Sequence, residues 1–180
     1  MEYQLHSLKN GIRVLHKKSD ANDISHCCVV INTGAREEDP DKVGLAHFLE
    51  HLFFKGTANR NTNQILNRLE VVGGDINAYT TKEHTCIHAS FLNQHLDRAA
   101  ELISDILFHS TFPEKELEKE RSVILEEMAM YYEAPEDAIQ DDFDELLFPN
   151  HPLGINILGT AEHVQSFQKK DLHAFIDRNL

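Results

Sequence analysis

The segment 44–55 constrains this chain most, because it reads as an apolar helix with ionisable side chains in its middle. Its large apolar residues recur at helical spacing, and Gly56 is a plausible stop. Burying a carboxylate among leucine and phenylalanine side chains costs roughly several kcal/mol unless a partner compensates it. The fold must therefore bury this helix and supply a partner for its charge. The apolar residues are Leu45, Phe48, Leu49, Leu52 and Phe53.

The ionisable residues of this segment are His47, Glu50 and His51, in the order H-x-x-E-H. On a helix the two histidines lie about 40° apart, and Glu50 lies about 60° to the other side of His47. Two neutral imidazoles on one face are a natural start to a zinc site, and this order is the signature of inverted zinc peptidases. Two core histidines with satisfied polar atoms are the alternative, and the intervening carboxylate weighs against it.

A catalytic zinc site usually has three protein ligands, and a predicted helix at 114–133 offers the third. Glu120 and Glu127 are seven residues apart, which places them about 20° apart around the helix. Val123 and Ile124 are expected on the same, buried side. We predict Glu127 as the ligand and Glu120 as an acid that orients a ligand. An exposed acidic helix is the alternative, because charge runs are usually solvated.

Strands are predicted early in the chain and helices mainly later. Asn10-Gly11 between alternating segments predicts a hairpin, because both central residues of such a tight turn need positive φ. A run at 25–32, rich in valine and isoleucine, predicts a buried strand. Further strands are predicted at 76–81 and 85–91.

Capping signals divide the helical part of the chain. Thr62 is the cap candidate of the helix that ends at Gly73-Gly74, and a capping box at 111–114 begins a long helix. This order predicts an α+β fold with an antiparallel or mixed sheet and helices packed on it, in a single domain over residues 1–180. The predicted helices cover 62–72, 93–109, 114–133 and 136–147, followed by two short closing helices.

Composition excludes several classes of partner. Thirty acidic residues against 17 basic ones give a formal net charge of −13, which repels phosphate backbones, so nucleic acid is not expected as a partner. The longest apolar runs are too short to span a bilayer, and residues 1–11 lack the features of a secretory signal. Three cysteines suit a reducing compartment. We therefore expect a soluble, cytoplasmic protein with no membrane partner.

Several separate motifs together resemble one family, that of pitrilysin and the mitochondrial processing peptidases, which are zinc endopeptidases. The resemblance spans nearly the whole chain, from the hairpin to the PLG and ILG stretches at 152–159. The motifs are HFLEHL at 47–52, GT at 56–57, GG at 73–74, NAYT at 77–80, and the segment 120–127 that begins with Glu-Arg and ends with Glu.

The resemblance implies a role for each site residue. His47, His51 and Glu127 would bind one zinc ion per chain, Glu50 would be the catalytic base, and Glu120 would be the supporting acid. Zinc lowers the pKa of bound water to about 7, and the base accepts a proton from that water as it attacks the peptide carbonyl. The expected function is therefore hydrolysis of peptide bonds in oligopeptides or unfolded segments.

The NAYT segment is expected to bind the substrate. In the family it resembles an edge strand to which the substrate adds as a further strand, with Asn77 and Ala78 as contact points. Because main-chain hydrogen bonds dominate this mode of binding, many side-chain sequences are tolerated. An ordinary edge or inner strand is the alternative.

The resemblance also implies a partner, because family members are more than twice this long and add a similar, metal-free half. We expect this chain to be the catalytic N-terminal half without that C-terminal half, completed by a second half-domain or by a second copy. A fragment with weak activity, or a subunit that binds peptides without cutting them, are the alternatives. A third is a small H-x-x-E-H lyase that cleaves S-ribosylhomocysteine, which needs a cysteine where Glu127 already serves.

Overall fold

The computed structural model describes residues 3–180. The strands are β1 (Gln4–Ser7), β2 (Arg13–His16), β3 (Ile24–Ile31), β4 (Asp75–Thr80) and β5 (Thr85–Leu92). The α-helices are α1 (Leu45–Leu52), α2 (Thr62–Glu70), α3 (Leu96–His109), α4 (Glu114–Tyr132), α5 (Pro135–Leu147), α6 (Ala161–Ser166) and α7 (Lys169–Asn179). Short 3-10 turns cover Ala35–Glu37, Asn93–His95 and Pro152–Gly154. None of the helices in this described part is long and apolar enough to cross a membrane.

The strands form two antiparallel sheets. Strands β1 and β2 pair as a separate hairpin, and the larger sheet has the order β3-β5-β4. In that sheet Cys28 of β3 and Asn77 of β4 both lie opposite His88 of the central strand. Strand β4 is therefore an edge strand, with one side of its main chain unpaired.

The hydrophobic core lies between one face of the larger sheet and helices α1, α2 and α3, and it also includes buried residues of α4, α6 and α7. Strand β5 contributes Ile87, Ala89 and Phe91 to it, and α1 is buried on nearly all sides. This burial agrees with the prediction made from the apolar pattern of α1. At about 25 cal/mol per Å² of apolar surface, such a helix is held by packing rather than by intrinsic helix propensity.

The N-terminus of α1 is capped from outside the helix. The N-cap residue, Gly44, has a φ of 98° and no side chain that could cap the helix. The carboxylate of Glu38 caps it instead, by accepting hydrogen bonds from the amide N–H of Gly44 at 2.9 Å and that of Ala46 at 2.6 Å. Burial raises the pKa of Glu38 to about 8, against the lowering effect of these backbone hydrogen bonds. The start of the helix is thereby fixed relative to the preceding loop.

The hairpin prediction is confirmed, but the predicted turn is wrong. Leu8 N–H donates to the carbonyl of Ile12 at 2.8 Å, and Gly11 N–H donates to the carbonyl of Leu8 at 3.0 Å, so the loop is longer than two residues. Gly11 has a φ of 91°, whereas Asn10 does not have a positive φ. In this longer loop a single residue in the left-handed region is enough to reverse the chain.

Strand β3 is not the buried strand that its composition predicted. Its residues alternate between exposed and half-buried, and Val30 is 59% exposed. In the described residues Cys27, Val29 and Ile31 pack against the core, and the residues that alternate with them on β3 face away from it. Val123 of α4 was likewise expected on the buried side and is exposed, whereas Ile124 is fully buried.

Two capping predictions are also wrong. Helix α2 is capped by Asn61, which forms a capping box with Gln64, rather than by Thr62. Helix α4 starts after Pro113 with no side-chain cap, and the hydroxyl of Thr111 instead donates to the carbonyl of Gly56 at 3.4 Å. The hydroxyl of Thr62 donates to the carbonyl of Lys55 at 3.0 Å, so both predicted capping side chains bond to the turn after α1 instead.

A buried aspartate on α3 anchors the loop that follows α1. Asp105 accepts hydrogen bonds from Thr57 at 2.8 Å, Asn59 at 2.6 Å and Arg60 at 2.5 Å. Burial opposes its ionisation, yet these donors lower the pKa of Asp105 below its ordinary value. The carboxylate is therefore charged at neutral pH and is compensated by this loop.

Replacing Asp105 by Ala should destabilise the fold by about 3 kcal/mol, because it removes the buried acceptor that Arg60, Asn59 and the buried hydroxyl of Thr57 share. Glu101 pairs with the same arginine at 2.6 Å but is 47% exposed, whereas the Asp105 side chain is 3% exposed. Glu101→Ala is thus the control and should cost no more than about 1 kcal/mol. Urea unfolding measures both, and equal costs would show that the loop is not anchored at Asp105.

Candidate metal centre

The site lies where α1 contacts α4. His47 and His51 are one turn apart on α1, so they project from the same face. Glu120 and Glu127 are two turns apart on α4 and approach that face. The four side chains therefore meet between two helices that are distant in sequence.

Three of these side chains present ligand atoms to a common space. His51 Nε2 lies 3.4 Å from Glu127 Oε2, and His47 Nε2 lies 3.8 Å from the same oxygen. One ligand atom from each of the three residues lies within 4.8 Å of the others. Over residues 3–180, this is the group of three or more His, Cys, Asp or Glu side chains with the geometry to hold a metal ion.

The donor set and its spacing fit zinc. Ligand atoms at 2.0–2.2 Å around a tetrahedral ion are about 3.3–3.6 Å apart, close to the two distances to Glu127. Burial, and to a lesser extent electrostatic repulsion from the neighbouring His51 ring, lowers the pKa of His47 to about 4, so the His47 ring is neutral at pH 7. Neutral imidazole is the form that binds a metal, and two histidines with one glutamate are a known catalytic zinc set.

Glu120 contacts the site through His51 rather than directly. Its Oε2 lies 3.2 Å from His51 Nδ1, and its Oε1 lies 2.6 Å from the Nζ of Lys55. A carboxylate can only accept, so the hydrogen bond assigns the proton of His51 to Nδ1 and leaves the Nε2 lone pair facing Glu127. Glu120 is buried, which keeps this arrangement away from competing water.

Glu50 lies on the neighbouring part of α1 and is partly buried. Burial raises the pKa of Glu50, and hydrogen bonds from the hydroxyl and the amide N–H of Thr80 partly offset that effect. Nearby His51 lowers this pKa and nearby Glu127 raises it. A carboxylate whose pKa is shifted towards neutrality is suited to accept and return a proton.

Strand β4 ends beside this site. Thr80, its last residue, bonds to Glu50 and approaches the carbonyl of Ala46 at 3.5 Å. Farther along the strand, Asn77 is exposed and Ala78 is buried. The unpaired side of β4 can accept a further strand through its main chain.

Three residues of this arrangement were not predicted from the sequence. Lys55 lies three residues beyond the end of α1, so its contact with Glu120 depends on the turn after the helix and no helical spacing signals it. Thr80 belongs to the NAYT motif, and its contact with Glu50 depends on how β4 packs against α1. Glu38 reaches α1 across a loop, and no spacing rule signals such a contact.

Comparisons with known proteins point to one family. The family model described as insulinase (peptidase family M16) matches residues 13–161. The chain is 39% identical over 171 residues to an uncharacterized zinc protease, YmxG, of Bacillus subtilis, with 95% of this chain and 42% of that protein covered. It is 35% identical over 175 residues to a probable mitochondrial-processing peptidase subunit beta of Arabidopsis thaliana, with 97% and 33% covered.

A solved structure of a protease from Helicobacter pylori shares the fold, with a TM-score of 0.91 and 27% identity, over 97% of this chain and 42% of that one. In each of these comparisons the chain spans less than half the length of the protein it matches. The α+β class and the family predicted from the motifs are both confirmed. The chain belongs to the insulinase family of peptidases, family M16.

Proposed function

We propose that this chain is the catalytic, zinc-binding half of an endopeptidase that hydrolyses peptide bonds in oligopeptides or unfolded segments. The observation that supports this most is the convergence of His47, His51 and Glu127 beside a partly buried Glu50. Membership of a peptidase family supports it independently and argues against the lyase. The cytoplasmic location stays a prediction.

In this proposal His47, His51 and Glu127 hold one zinc ion per chain. Zinc, when bound, lowers the pKa of a water molecule to about 7 and polarises the substrate carbonyl. Glu50 accepts a proton from the attacking water at its carboxylate and passes it to the nitrogen of the leaving amine. Glu120 holds His51 in the tautomer that presents Nε2.

The substrate is proposed to add to the open edge of β4, with Asn77 and Ala78 as contact points. This edge ends at Thr80, which bonds to Glu50, so an added strand would run past the base. Only an extended segment can pair in this way, which restricts the substrate to short peptides and unfolded stretches. Recognition through the main chain leaves the side-chain sequence loosely specified.

A second half-domain, or a second copy of this chain, is proposed to complete the substrate chamber. The support is that this chain accounts for less than half the length of the relatives it matches. A peptide strand lying on β4 has its other side uncovered within residues 3–180. The partner would enclose that side.

Zinc content and cleavage of a quenched peptide test the proposal, with the chain alone and together with a candidate second half. We expect about one zinc per chain, and cleavage that is lost when a chelator removes the metal. Cleavage should return with added zinc and not with added magnesium, because magnesium prefers oxygen ligands. Failure to bind zinc would refute the assignment. Zinc binding without cleavage in the pair would instead indicate a non-catalytic, peptide-binding subunit.

A further inference from the structure

Lys55 connects to the candidate zinc ligands through one buried carboxylate. It lies three residues beyond α1, and its Nζ is 2.6 Å from Glu120 Oε1. The other oxygen of that carboxylate, Oε2, is 3.2 Å from His51 Nδ1. The two oxygens of Glu120 are thus engaged on different sides, by a cation and by a ring that faces Glu127.

We propose that Lys55 is a positioning residue for the metal centre: it fixes Glu120, and Glu120 in turn fixes the orientation and tautomer of His51. This inference rests on the proposed function, because it concerns zinc held by His51. The physical reason is that the side chain of Glu120 is only 8% exposed and carries a charge that one neutral ring does not compensate. Without Lys55, Glu120 is expected to leave His51 for water or for another cation.

The backbone of Lys55 is held rigidly enough for this role. Its amide N–H donates a hydrogen bond to the carbonyl of Leu52 at 3.1 Å, and its carbonyl accepts a hydrogen bond from the hydroxyl of Thr62 at 3.0 Å. The following residue, Gly56, is bridged to Asn61. The Cα of Lys55 is therefore held in place, and only the side chain has to become ordered when Lys55 binds Glu120.

The surrounding charges leave Glu120 as the partner of Lys55. Glu116, one turn earlier on α4, also feels the charge of Lys55 but is bound by Lys119 at 2.6 Å. The other titratable contact of Glu120 in the described residues is His51. The chain Lys55–Glu120–His51 thus joins the turn after α1 to the ring that faces Glu127 through direct contacts.

The test measures zinc affinity by competition with a chelator, in the full 180-residue chain, beside thermal unfolding of the zinc-free form. Lys55→Met should weaken zinc binding by about 10-fold, the lower end of the range for partners of metal-bound histidines. Lys55→Arg keeps the charge and should recover most of that affinity. Lys42→Met is the control, since Lys42 pairs with Asp171 at 3.5 Å and is 25% exposed, against 26% for Lys55.

A double variant separates positioning from general stability. If Lys55 acts through Glu120, the Lys55→Met/Glu120→Gln chain should bind zinc no more weakly than Glu120→Gln alone. Wild-type affinity in Lys55→Met, an equal loss in Lys42→Met, or additive losses in the double variant would overturn the inference while the wild-type chain still binds zinc. Absence of zinc from the wild-type chain would refute the proposed function itself.

Discussion

Replacing Glu50 by Gln should leave the zinc content unchanged and lower the rate of peptide cleavage by about 10²–10⁴-fold. The amide has nearly the same shape as the carboxylate and can still bond to Thr80, so the packing of α1 against β4 should persist. It cannot accept a proton from water, and the chemical step loses its base. Glu50 is not among the three side chains that converge as ligands, which is why the metal should stay.

The measurement pairs metal analysis with cleavage of a quenched peptide, in whichever assembly shows cleavage for the wild-type chain. Glu126→Gln is the matched control, because Glu126 is an exposed acid on α4 beside the site and has no ligand or base role in the proposal. It should cleave at the wild-type rate. Full activity in Glu50→Gln would remove Glu50 from the role of base.

Replacing Glu127 by Ala should weaken zinc binding by more than about 100-fold and abolish cleavage with it. The loss exceeds that expected for a residue acting through a ligand, because one of three protein ligands is removed directly. The side chain of Glu127 is 45% exposed, so the fold itself should change little in stability. In this variant the zinc affinity should therefore fall while the free energy of unfolding of the zinc-free chain stays nearly unchanged.

Chelator competition and urea unfolding of the zinc-free chain measure these two quantities. Glu126→Ala removes the adjacent acid of α4 and should change neither. Zinc affinity within a few-fold of wild type in Glu127→Ala would mean that the third ligand is another group. A collapse of stability would instead show that Glu127 is needed for packing.

The sequence predicts the centre of this molecule better than its periphery. In α1 the geometry of a single helix determines both which apolar residues are buried and which ionisable residues share a face. Spacing alone therefore places His47 and His51 on one face. Predicting Glu127 as the third ligand required a second helix with an acidic residue on its buried side. The pattern of residues 114–133 predicts such a helix. The resulting three-residue convergence needs only that the two helices touch.

Predictions failed where a contact depends on tertiary arrangement. The apolar run of β3 indicates a strand but not which of its faces a helix will cover, and Val30 is exposed for that reason. Thr111 lies at a position typical of a cap, yet it bonds to Gly56 from the loop after α1. Lys55 reaches Glu120 only because the turn that follows α1 folds back towards α4.

The proposed ligands come from helices separated in the chain by two strands and two further helices. A zinc ion held between α1 and α4 would therefore act as a reversible cross-link between early and late parts of the sequence. Unfolding would then have to release the ion, so resistance to unfolding would rise with the concentration of free zinc. Cellular metal supply would in this way set how long the folded chain persists as well as whether it can act.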